Sequence, residues 1–318
     1  MANLITRPAR EADRAVVEGI AVDALETLHD SPSVSQWGSG MRRGFIEHWF
    51  PAMGSTDIRA MVVAELDGVV VGAGSSRGSR RHPHAFLRLA VRHELRTRGI
   101  GSALLEAIMD EDAGPFTVRE MLSDPATIAF YEERGFVTGE RTMEGRIDPS
   151  QEPIASWIDD VLDRRTRVDY RRKANLDAAA ALDELYLWTH PWSPPRPLDV
   201  DEAVDKYLRS ARNDGVFTAS RGGAVAGAAL VTDSPFGAPR NVAHLALCGV
   251  VDPDVRQADE ITSRLLAEVL AAARQRGWTV ELEANDPNTY LWEAASQLPG
   301  VSLFSDMTLL VSSYGAPE

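Results

Sequence analysis

A chain of 318 residues exceeds the roughly 100–200 residues of one domain and leaves room for two, each able to bury its own core. At 44% hydrophobic and 25% charged it has the composition of a globular protein, which excludes a disordered or fibrous chain. A formal net charge of −14 argues against nucleic-acid partners, and no apolar run reaches the ~18–20 residues of a membrane helix.

In chain order, a strand is expected at 4–7, ended by Pro8. A helix follows over 13–29, with Val16, Val17, Ile20, Leu25 and Leu28 at helical spacing. A polar stretch spans 30–40, and a second helix carries Phe45 and Trp49 to Pro51. Two short strands joined by Leu-Asp-Gly read as a hairpin within 62–73. Then come a strand at 86–91, a helix at 100–112, a strand at 116–122, a helix at 125–134 and a strand from Phe136. The strands at 86–91 and 116–122 are expected to lie parallel across the intervening helix.

The same order returns in the second half. Residues 116–130 align without gaps on 278–292, with five of fifteen positions identical, and the hairpin at 62–73 is echoed at 217–228. The chain therefore reads as a tandem duplication, α+β or α/β layered, with a first domain at 1–145, a linker at 146–167 and a second domain at 168–318. The linker opens as Asp-Pro-Ser-Gln-Glu-Pro and carries a short helix near Trp157.

The stretch 87–105, LRLAVRHELRTRGIGSALL, holds the chemistry. A strand ends at Val91 and a helix opens at Gly99 and Gly101, where missing side chains let backbone N–H groups face an anion. Arg96 and Arg98 add full charges. The same glycines also suit a plain strand-to-helix turn with close packing. Neither a Walker loop nor a dinucleotide fingerprint is present.

The spacing Arg96-x-x-Gly99-x-Gly101, together with Asp124-Pro-Ala-Thr-Ile-Ala-Phe-Tyr131-Glu-Glu-Arg-Gly135-Phe136 downstream, resembles the GNAT N-acetyltransferase superfamily. The resemblance covers residues 1–145 and extends through the repeat to the remainder, as two GNAT-like domains with mixed, splayed sheets flanked by helices. It implies acetyl-CoA binding at Leu89, Ala90, Val91, Arg96, Thr97, Arg98, Gly99, Ile100, Gly101, Ser102 and Asp124. Asp124 stands where the family commonly has Asn. Tyr131 is implied as the general acid for the leaving thiolate, against a reading as core aromatic beside Phe130 and Phe136. His84 or Glu120 is the candidate general base, although each also reads as a turn or rim residue.

In the second half both glycines are missing, Asp259 and Glu260 occupy the helix start, and Glu293 aligns with Tyr131. This copy reads as degenerate, and Cys248 as a packed strand residue. The expected activity is acetyl transfer to a primary amine of a small, cationic molecule, with one active site and no metal. Asp23, Glu26 and Asp30 on one helical face and Trp37 in a loop are the acceptor candidates. The alternatives are a protein or peptide N-acetyltransferase, or a non-catalytic acyl-CoA sensor. No nucleic acid or membrane partner is expected, and the chain is read as a cytoplasmic monomer or homodimer.

Overall fold

A computed structural model describes residues 3–26, 57–122, 124–234 and 240–312. The chain divides into two compact units, Met1–Gly139 with Met307–Glu318, and Glu140–Asp306. The expected helix with Phe45 and Trp49 lies outside the described residues.

The first unit opens with β1 (Leu4–Pro8), a 3-10 turn (Glu11–Asp13) and α1 (Arg14–Glu26). The turn is held by charge: Arg7 donates to both Asp13 oxygens at 2.7 and 2.9 Å, which holds the Asp13 carboxyl down at about 2. The hairpin β2 (Ile58–Leu66) and β3 (Val69–Arg77) follows, turning at Asp67-Gly68 with positive φ at both residues. Next come β4 (Ala85–Val91), a 3-10 turn (His93–Leu95), α2 (Ile100–Glu111), β5 (Phe116–Met121) and α3 (Pro125–Glu132). In α2 the buried residues Ile100, Leu104, Leu105 and Ile108 recur at helical spacing and face Leu87, Phe116 and Val118 of the sheet. Full burial of each such side chain contributes about 1.5–3 kcal/mol.

β4 and β5 are parallel, as expected, through Ala85–Phe116 and Phe86–Thr117. The next neighbour of β5 comes from the far end of the sequence. The last strand, β12 (Ser302–Ser312), lays Met307–Val311 antiparallel on β5, and Phe116 N–H donates to Ser312 Oγ at 2.8 Å. The sheet order of this unit is β1-β2-β3-β4-β5-β12.

The second unit takes the strand that chain order would give to the first. β6 (Phe136–Ile147) pairs its residues Thr142–Ile147 antiparallel with β11 (Thr279–Asn285). The unit continues with α4 (Glu152–Asp163), β7 (Asp169–Arg172), α5 (Leu176–Trp188) and α6 (Val200–Ala203), which runs into a π turn. β8 (Ala211–Arg221), β9 (Ala224–Asp233), β10 (Val242–Val250), α7 (Ala258–Arg276) and α8 (Thr289–Gln297) complete it. Its sheet order is β6-β11-β10-β9-β8-β7.

Two expectations about domain limits change. A boundary at 145 would cut through β6, and the unit limits fall instead at Gly139 and again at Asp306. The supposed linker at 146–167 contains α4, whose Ile154, Ile158 and Val161 are buried, the first two in the same core as Leu265 and Val269 of α7. Arg264 of α7 also donates to the Val161 carbonyl at 2.9 Å. Pro153 sits in the first turn of α4, where its missing N–H is harmless, so a turn-like composition conceals a core helix.

Candidate active site

The parallel pairing of β4 with β5 stops at Phe86–Thr117. Beyond that level the strands separate, and a cleft of about 460 Å³ opens between the ends of β4 and β5, the start of α2, and α3. The backbone of Leu89–Val91 faces this opening on the side away from β3, so its N–H and C=O groups there can serve a ligand.

The α2 N-terminus forms one wall. Thr97 has φ 64° and the N-cap Gly99 has φ 79°, a pair of left-handed residues that turns successive N–H groups inward. Gly99 is glycine for that conformation. Gly101 has another reason: a Cβ there would meet only Phe130 ring atoms at 3.5 Å or more, an ordinary contact. The protein's own packing does not demand glycine at 101, and the space it leaves opens on the cleft. Arg134 ties the two helices, donating to Ser102 Oγ at 2.8 Å and to the Phe130 carbonyl at 2.7 Å, with its guanidinium 3.9 Å from the Phe130 ring centre.

Glu120 and Tyr131 lie at the inner end. Tyr131 is 1% exposed, its ring edge-on to Phe130 and Phe136 at 5.1 and 5.2 Å. Burial, reinforced by the charge of Glu120, pushes its hydroxyl well above the ordinary tyrosine value, so it stays protonated across the neutral range. Burial likewise pushes the Glu120 carboxyl up to about 7; the nearby Asp124 adds to the rise, while Arg88 and Arg96 oppose it.

Most of the residues singled out from the sequence meet here: Leu89, Ala90, Val91, Arg96, Thr97, Gly99, Gly101, Ser102, Glu120, Asp124 and Tyr131 all line the cleft. Asp124 is also the N-cap of α3, accepting from Thr127 N–H at 3.1 Å and Thr127 Oγ1 at 2.7 Å. Several expectations need correction. Arg98 is exposed and does not line the cleft, and the Ile100 side chain is 2% exposed in the core because the first turn of α2 rotates it onto the sheet. His84 precedes β4 at its opposite end, roughly 20 Å from Ala90 at ~3.3 Å per strand residue. It cannot reach a group in the cleft. Asp23 spends a carboxylate oxygen on the His93 N–H at 2.9 Å, fastening the turn before α2. Asp30, Trp37 and the Glu26 side chain lie outside the described residues.

Ala24, Leu95, Ala126, Thr127, Phe130 and Arg134 line the cleft as well and were not anticipated. For Phe130 and Arg134 a signal existed, since they stand four residues apart on either side of Tyr131, at the end of α3 and in the turn after it. Among the described residues no cluster of His, Cys, Asp and Glu is placed to hold a metal, and no helix is long and apolar enough to cross a membrane.

The corresponding region of the second unit is built differently. There β10 and β11 stay paired from Val242–Thr279 to Leu245–Leu282, and Leu282 is the residue that aligns with Glu120. Ile261 and Leu265 pack on Gly227 as Ile100 and Leu104 pack on Gly72, so α7 begins about one turn earlier than α2. The extra turn carries Asp259 and Glu260. Its cap, Gln257 with φ 67°, donates to Glu260 and accepts from Arg221 at 2.7 Å. Glu293, aligned with Tyr131, is exposed, and Cys248 is buried with its thiol pushed up by desolvation.

Comparison with known proteins places this architecture. A family model described as an acetyltransferase (GNAT) domain matches residues 57–138, the segment from β2 to the start of β6. The GCN5-related N-acetyltransferase of Sphaerobacter thermophilus superposes with a TM-score of 0.66 at 15% identity, over 97% of this chain and 95% of that one. A tandem GNAT protein from the clavulanic acid biosynthesis pathway superposes with a TM-score of 0.61 at 19% identity, over 99% and 100%. A putative acetyltransferase from Pyrococcus horikoshii gives a TM-score of 0.51 at 15% identity, over 97% and 88%. No curated protein matches the sequence. Residues 57–138 thus match an acetyltransferase (GNAT) domain, and the chain as a whole has the fold of solved tandem GNAT proteins.

Proposed function

We propose that the first unit binds acetyl-CoA in the cleft between β4, β5, α2 and α3 and transfers the acetyl group to a primary amine of a small molecule. One observation carries this reading: an unpaired strand edge, an anion-binding helix start, the half-buried Glu120 carboxyl and the buried Tyr131 hydroxyl converge on one cavity. The co-substrate supplies an activated thioester carbonyl. The N–H groups of Gly99–Ser102, with Arg96, hold its pyrophosphate, and Gly101 leaves room for it. The β4 edge at Leu89–Val91 holds the pantetheine arm, and a backbone N–H near Val91 stabilises the oxyanion.

Glu120 accepts the proton that an arriving ammonium must lose before it can attack. A carboxyl near 7 is matched to that task, because it is part ionised at neutral pH and still basic enough to take the proton. Amine nitrogen then bonds to the carbonyl carbon as the carbon–sulfur bond breaks. Tyr131, held protonated by burial, donates to the departing sulfur. Net, nitrogen gives up two protons: the first leaves through Glu120 to solvent, and the second, lost after attack, restores the Tyr131 hydroxyl whose proton went to the thiol. The second unit contributes no site of this kind.

The test is thiol release from acetyl-CoA over a panel of cationic, neutral and anionic amines and short peptides. Turnover of small cationic amines, lost in Glu120→Gln, supports the reading. Turnover confined to peptides, or acetyl-CoA binding with no turnover on any amine, overturns it.

A further inference from the structure

Arg88 stands on β4 two residues past the last β4–β5 pair. Its Nη1 makes long hydrogen bonds to the Leu87 carbonyl at 3.5 Å and to the Arg119 carbonyl at 3.4 Å. The side chain therefore crosses from its own strand to the β5 peptide immediately before Glu120. In an unbroken parallel ladder, backbone N–H groups of one strand serve carbonyls of the other at every level. Where the strands part, the guanidinium supplies a donor instead, and it brings a full charge with it.

We propose that Arg88 is a positioning residue for acyl transfer, bridging β4 and β5 at their point of separation and setting its charge against Glu120 so that this carboxylate can still accept a proton once an acyl donor excludes water. The proposal rests on the reading of Glu120 as the base. The geometry suits Arg rather than Lys, because a forked donor can hold a carbonyl while its delocalised charge faces a carboxylate. Arg88 also lies close enough to Tyr131 to act on it by charge.

The other charged or titratable groups around Glu120 do not duplicate this role. Arg96 acts from the loop before α2 and ranks below Arg88, and Asp124 ahead of α3 works in the opposite direction. Arg134 in the turn after α3 is engaged with Ser102 and the Phe130 carbonyl, and Asp23 on α1 with the His93 N–H. Tyr131 is neutral, and β12 places the uncharged Thr308 opposite Glu120. Arg88 itself is pushed down only to about 10 and stays charged at neutral pH.

The experiment reads Glu120 without turnover. Full-length protein labelled with carbon-13 at the glutamate carboxyls is titrated by NMR, and the Glu120 signal is assigned by its loss in Glu120→Gln. The expected midpoint lies near 7 in the parent and rises by about one to three pH units in Arg88→Gln, as removal of a close counter-charge does. Arg88→Lys, which keeps the charge and guards against misfolding of the first variant, should fall between the two. Midpoints within a few tenths of the parent in the folded variants overturn the proposal. Thiol release that survives Glu120→Gln with its pH profile intact overturns the base reading, and the proposal with it. Loss of that profile with an unmoved NMR midpoint overturns the proposal alone.

Discussion

The two units share an order of elements and a style of core, yet their clefts beside the paired helices are lined differently: the first, of about 460 Å³, by the ends of β4 and β5 with Glu120 and Tyr131, the second, of about 520 Å³, by Asp259, Glu260 and Glu293 with no residue of β10 or β11. Ile100 and Leu104 against Gly72 have their counterparts in Ile261 and Leu265 against Gly227, so helix-on-sheet packing is the same in both. Even the left-handed cap survives, as Gly99 in one unit and Gln257 in the other. The units part company in how far a ladder runs and where a helix begins. β11 stays zipped to the level of Leu282, whereas β5 lets go three residues before Glu120. One added helical turn brings two carboxylates to the place where an anion would sit. Strand edges and helix starts can thus change with the core packing untouched, because they depend on backbone groups rather than on the apolar face.

That comparison can be broken most sharply at the reacting groups. Tyr131→Phe, and Glu120→Leu, which imports the residue of the second unit, should each lower kcat about 10²- to 10⁴-fold in a thiol-release assay. Glu293→Gln in the second unit should leave it unchanged. Equal losses at both places would mean two working sites. Next, Gly101→Asp should weaken acetyl-CoA binding about 100-fold by placing like charge against the pyrophosphate. Titration calorimetry should count one site per parent chain and almost none in the variant.

The pH response should be smaller and graded. Glu120 works as a base only when ionised, so kcat/KM should fall about tenfold per pH unit below its value of about 7. The linked stability has the opposite sense. A carboxyl raised by folding stabilises the fold below its ordinary value near 4.5, and that contribution is lost as pH rises through about 7. Glu120→Leu should therefore gain thermal stability over the parent more at pH 8 than at pH 4.5, as read by scanning calorimetry. The smallest effect is the most telling. Asp259→Gly with Glu260→Ser should create no second acetyl-CoA site, because β10 and β11 stay paired as far as Leu245–Leu282, the level at which β4 and β5 have already parted; a second site in calorimetry would show that charge alone silenced this unit.

Much of this architecture was legible because its signals are local. Hairpins announce themselves by alternation around Asp67-Gly68 and Gly222-Gly223, and α2 by the spacing of Ile100, Leu104 and Ile108. Strand partners are another matter. β6 and β12 follow equivalent helices, and nothing in either says which β-edge it will join, so their exchange was invisible. The helix near Trp157 was legible, but its polar, proline-containing start hid that it begins at Glu152 and packs into the core. In the cleft, the glycines could be read from spacing, and Tyr131 only through the resemblance to the GNAT superfamily. Arg88 could not, since on an alternating strand it looks like any solvated residue until the splay of its neighbour gives it a carbonyl to reach.

The exchanged strand has a consequence for how the protein is made. β5 receives its neighbour only when Met307–Ser312 has left the ribosome, after the whole of Glu140–Asp306 has been synthesised. At common elongation rates that delay is on the order of ten seconds. During it, β5 offers an open edge, the kind of surface that recruits stray strands. The first unit is thus completed last although it is encoded first, and a prematurely terminated chain leaves it without its final strand. Quality control of nascent chains would then meet the first unit as an unfinished sheet rather than as an independent, active fragment.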